Sequence, residues 1–166
     1  MTIQPEMEHP AAEDAKPPLK TWRILFLDST ENATLLTEAC TKVGYVAISS
    51  ATLEEAWAFL DGKDHVDVIV CAAHLEEESM FKFLKQIRDH EKHGNVAFLI
   101  LSLEPGAIGT RVDQSTARTG ILLGADGYLI MPEFDPGQLI EHIEKLQPRI
   151  PKLQQSATAK EKREAE

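Results

Sequence analysis

The chain has 166 residues, 43% hydrophobic and 27% charged, with a formal net charge of -10. That length fits one domain with enough interior to fold without staples, and the charge disfavours nucleic acid and anionic membrane, both of which need clustered Lys and Arg. The longest apolar run, Val96 to Leu101, has six residues, against the roughly 18–20 of a membrane helix.

The amino end, MTIQPEMEH, has neither the basic start nor the apolar stretch of a secretory signal. Residues 1–20 are rich in proline and charge and read as a disordered leader. Residues 149–166 end in SATAKEKREAE and read as a disordered charged tail. The folded unit is expected over 21–148. Cys40 and Cys71 both stand in apolar surroundings and read as buried thiols, which points to a reducing, cytoplasmic setting.

Strand and helix signals alternate through this unit. An apolar run over 22–27 ends at Asp28-Ser29. Leu35, Leu36, Ala39, Cys40 and Val43 then recur at helical spacing until Gly44. A strand is expected over 46–48. Thr52 and Glu55 form a capping box for a helix with Leu53, Ala56, Trp57 and Leu60 inward. Val66 to Cys71 is almost wholly apolar, as a strand covered on both faces should be. Ser79 caps a helix carrying Met80, Phe83, Leu84 and Ile87 at i, i+3, i+4 and i+7. A strand over 96–101 precedes a Gly-containing stretch and a weaker helix over 114–123. A fifth strand follows over 127–130. Asp135-Pro136 then opens a helix with Leu139, Ile140, Ile143 and Leu146 inward. Five strands alternating with five helices predict an α/β fold, a doubly wound five-stranded parallel sheet with helices on both faces. In such sheets function sits outside the carboxyl ends of the strands, here Asp28 and Ser29, Ala72 to His74, Ser102 and Met131.

In order and spacing, Ile24–Asp28, Asp67–Ala72, Phe81–Arg88 and Gly124–Pro132 resemble the receiver domain of two-component response regulators, a flavodoxin-like fold. The resemblance implies a phosphoryl-accepting aspartate at the end of strand 3. It also implies Mg²⁺ held by that aspartate with an acidic pair at the end of strand 1, and a lysine after strand 5. This chain departs from the pattern. Ala72 stands at the phosphoacceptor position, Ser29 beside Asp28 in the acidic pair, and Met131 at the lysine position. His74 stands where a backbone carbonyl usually meets the metal, and Glu76 replaces a proline. A methyl group can neither attack phosphorus nor bind a metal. Ser102 keeps the hydroxyl position and Tyr128 the aromatic switch position. The resemblance is therefore to the degenerate pseudo-receiver form.

Two other motifs stand out. His90-Glu91-Lys92-His93 has i, i+3 spacing near a helix end and reads as favourable charge at a helix C-terminus, not as a metal pair. Residues 105–111 lack the Lys of a phosphate-binding loop and read as a lengthened, mobile connection, with 103–113 the most mobile internal segment. The resemblance makes the interval from Ser102 to Met131 longer than in receivers by about two helical turns, with the extra residues between strand 4 and helix 4.

The expectation is a non-enzymatic, phosphorylation-independent module that binds another signalling protein, or a second copy of the chain, through the surface of helix 4, strand 5 and helix 5. Candidate contacts are Arg111, Tyr128, Met131, Glu133 and Phe134. No catalytic residue, metal or cofactor is expected. One alternative is a small-anion or nucleotide sensor using the strand-end pocket or the 105–111 loop. Another is a receiver phosphorylated at a displaced site.

Overall fold

A computed structural model describes residues 21–75, 78–104 and 106–146, with 106–112 described by backbone alone. The expected leader and tail, Glu76 and the Arg111 side chain lie outside what is described. Ten elements alternate: β1 (Arg23–Leu27), α1 (Thr30–Lys42), β2 (Val46–Ser50), α2 (Leu53–Leu60), β3 (Val68–Ala72), α3 (Met80–Asp89), β4 (Ala97–Leu103), α4 (Gly106–Leu123), β5 (Gly127–Met131) and α5 (Pro136–Lys145). Four helices start where a short polar side chain accepts a backbone N–H: Ser29 from Asn32, Thr52 from Glu55, Ser79 from Lys82 and Asp135 from Gln138.

The strands form one parallel sheet in the order β2-β1-β3-β4-β5. The order reverses between β1 and β3, so the crevice at their carboxyl ends, beside Asp28 and Ala72, is the topological switch point. Alternate strand residues feed two cores. Ile24, Phe26, Val68, Val70, Leu99, Leu101, Leu129 and Met131 pack under α1 and α5. Leu25, Leu27, Ile69, Cys71, Phe98 and Ile100 pack under α2 and α3. Two expected core positions differ. Leu35 and Val43 are 39% and 44% exposed and border a groove between α1 and α5, along with Phe134 and Ile140.

The larger correction concerns 103–113, which is not a loop. β4 continues to Leu103, opposite Met131. Glu104 turns the chain with a left-handed backbone (φ 49°), its N–H donating to the Met131 carbonyl at 2.7 Å. Helix α4 then begins at Gly106 and runs for 18 residues. The length beyond the receiver pattern is thus added as helix. Gly106 and Gly109 each cost a helix about 1 kcal/mol relative to alanine, so nothing local announces it.

Candidate functional site

Pairing register places Asp28, Ala72, Ser102 and Met131 along one edge of the sheet, and each is buried. Their side chains do different things. The Asp28 carboxylate accepts from its neighbour Ser29 N–H at 2.7 Å and from Asn32 Nδ2 at 3.1 Å. Burial outweighs these two bonds and pushes its pKa up. The Ser29 hydroxyl caps α1. Ala72 is 7% exposed and presents only a methyl group. Met131 alternates with Tyr128 and Ile130 and points with Leu129 into the core under α1 and α5, fully buried. It therefore leaves the set of partner contacts proposed from the sequence.

The other face of the same edge holds a polar cluster that sequence reasoning did not find. Asp113, on the third turn of α4, is fully buried. The Tyr128 hydroxyl donates to its Oδ1 at 2.5 Å and the Ser102 hydroxyl to its Oδ2 at 3.1 Å. His74 Nε2 lies 3.5 Å from Oδ1, with its ring half exposed. The Thr116 side chain also hydrogen-bonds the Tyr128 oxygen. A buried carboxylate is tolerated only when its lone pairs find donors, and here the hydroxyl donors come from β4 and β5. Burial first, and then Asp113, push the Tyr128 pKa well up, so the phenol stays protonated and donates. The cluster brings together three of the expected site residues (His74, Ser102 and Tyr128) around one that was missed. The only sequence signal for Asp113 is that it is the sole acidic residue between Glu104 and Asp126 in a chain holding 27.

Among the surface candidates, Glu133 is exposed and Phe134 is half-buried against the core. Tyr128 is part-buried, its hydroxyl turned onto Asp113. Ile121 and Leu122, on the last turn of α4, are 48% and 81% exposed and were not anticipated as contacts.

No protein-family model matches the sequence, and neither does any characterised protein. Solved structures do match. The chemotaxis response regulator CheY4 of Vibrio cholerae aligns at 22% identity and a TM-score of 0.64, over 76% of this chain and 99% of that one. A response regulator from Thermotoga maritima aligns at 23% and 0.63, over 76% and 98%. A response regulator from Burkholderia pseudomallei bearing a phosphorylated aspartic acid aligns at 20% and 0.61, over 84% and 74%. The chain has the receiver fold.

Within that fold, the Mg²⁺ implied by the resemblance does not suit the residues present. Of the carboxylates that would hold it, Asp28 alone stands, and its Oδ1 is taken by Ser29 and Asn32. Hard cations need several oxygen ligands, preferably anionic. The 105–111 segment, expected as a loop able to cradle an anion, is helical from Gly106 onward. No helix among the described residues is long and apolar enough to cross a membrane.

Proposed function

We propose that this chain is a phosphorylation-independent, non-enzymatic receiver-type module that works by contact with another signalling protein in bacterial signal transduction. The observation that carries this reading is the buried Asp113 carboxylate, held by Tyr128 and Ser102 beside His74. The hydroxyl and aromatic positions through which receivers respond to phosphate here already have the buried Asp113 carboxylate to bond. Ala72 leaves the end of β3 without a carboxylate to accept a phosphoryl group. A module built this way rests in one arrangement and needs no phosphoryl group to reach it.

The contact surface favoured is α4, β5 and α5, where Ile121, Leu122 and Glu133 are exposed. Exposed aliphatic side chains suit a protein partner, whether a different protein or a second copy. The small-anion sensor finds less support, because the Asp113 charge stands among the donors an anion would use.

Two-dimensional NMR with Mg²⁺ and beryllofluoride tests the first half. No shifts are expected at Asp28, Ala72 or Ser102; clustered shifts there overturn it. Incubation with labelled acetyl phosphate tests the displaced acceptor. Labelling that disappears in Asp113→Asn would make Asp113 that acceptor and end the phosphorylation-independent reading. The second half is tested by affinity capture from the native cell. A partner retained without acetyl phosphate, and lost on Leu122→Glu, is expected. A partner retained only after phosphorylation, or indifferent to Leu122, counts against the proposal.

A further inference from the structure

Helices α2 and α3 run back toward the amino ends of the strands, so their last residues meet at the edge opposite the polar cluster. Asp61 follows α2, His90 follows α3, and His93 stands in the connection to β4. One ligating atom from each of the three lies within 4.8 Å of the others. The two imidazoles are tilted 30° to each other, centroids 4.5 Å apart, and Trp57 backs them at 5.7 and 6.4 Å.

His93 carries the strongest indication. Its Nε2 is buried with no hydrogen-bond partner. A ligating histidine needs one such ring nitrogen free for the metal. A buried nitrogen is otherwise expected to find a partner.

The i, i+3 spacing argument against a metal pair supposed that both histidines sit on one helix. α3 ends at Asp89, so the helical spacing rule does not apply to His93, and Asp61 arrives from another element altogether. We propose that Asp61, His90 and His93 form a binding site for a divalent transition-metal ion, with zinc the best match. Two imidazoles, one carboxylate and a water make a common tetrahedral zinc set. Tetrahedral donors about 2.1 Å from zinc lie about 3.4 Å apart, so the exposed Asp61 side chain closes inward on binding. His90 Nδ1 accepts from the N–H groups of Lys92 and His93 at 3.0 and 3.3 Å. Coordination by His90 gives up these contacts or the proton they place on Nε2, which sets the expected affinity at micromolar. The bound ion would tie α2 to the α3–β4 connection at three points.

Calorimetry on the untagged full chain tests the site. One zinc per chain is expected, with a low-micromolar Kd, and no heat with Mg²⁺. His93→Gln and His90→Gln should each weaken binding at least tenfold, and Asp61→Asn severalfold. His142→Gln, at the far side of the sheet on α5, should leave binding unchanged. Ni²⁺ should quench Trp57 fluorescence in the wild type and not in His93→Gln, a readout that needs only the folded chain. Far-UV circular dichroism confirms folding of each variant, and Asp61→Asn, at an exposed position, carries the test should a histidine variant fail to fold. Absence of stoichiometric binding overturns the proposal. Binding that survives both His93→Gln and Asp61→Asn does so equally, as it would then be adventitious surface chelation.

Discussion

Tyr128 and Asp113, 15 residues apart, meet through a 2.5 Å hydrogen bond that joins β5 to the third turn of α4. Asp113→Ala should cost about 2–3 kcal/mol, because two hydroxyls lose their acceptor inside the fold, less what is regained by not burying a charge. Asp113→Asn keeps an oxygen for Tyr128 and should cost about 1 kcal/mol. Urea denaturation measures both. Hydrogen exchange should speed up over the backbone of 106–112 in Asp113→Ala. Unchanged exchange there would separate the carboxylate from the first turns of α4.

Asp28 gives a pH signature. Its pKa is raised by burial, against the opposing bonds from Ser29 and Asn32. A raised carboxyl contributes stability that is present in full below the unfolded value, about 3.9, and is lost as pH rises through the folded value. At pH 7 the ionised group is therefore a cost. Asp28→Asn keeps one oxygen for both donors without the charge. Its Tm should exceed that of the wild type at pH 7, and the gap should close below about pH 4. A lower Tm at pH 7 would show that the charge itself is needed.

Rebuilding the receiver chemistry should fail for a reason visible only in the structure. Ala72→Asp adds a carboxylate to a buried edge that already holds Asp28, so it should destabilise more at pH 7 than at pH 4. Met131→Lys places an ammonium group in the core under α1 and α5 and should cost about 2–4 kcal/mol. Acetyl phosphate labelling of the double variant should stay far below that of a receiver. Rapid labelling of a stable double variant would refute the assignment of Met131 to the core.

The two thiols should be inert in the native state. Burial pushes Cys40 up to about 12 and Cys71 well up, and the thiolate is the reactive form. Ellman's reagent at pH 8 should find no thiol in the folded chain and two in urea. Rapid native reaction at either cysteine would show local opening of α1 or β3.

The sequence by itself determined whatever rests on interactions between near neighbours. Caps at Ser29, Thr52, Ser79 and Asp135 act over three residues. Helical and strand periodicities repeat within a few residues, so the alternation of elements and the parallel sheet were legible. The absence of a carboxylate at Ala72 was legible because it is a statement of identity alone. Tertiary structure decided what depends on distant partners. The first turns of α4 contain two glycines, yet they lead to a carboxylate anchored on β4 and β5. Met131 turns inward because pairing with β4 puts it on the same face as Leu129. Asp61, His90 and His93 converge because α2 and α3 end at the same edge of the sheet. A one-dimensional pattern holds no information about which chain ends a sheet brings together, and that juxtaposition supplies the Asp113 cluster and the Asp61–His90–His93 cluster.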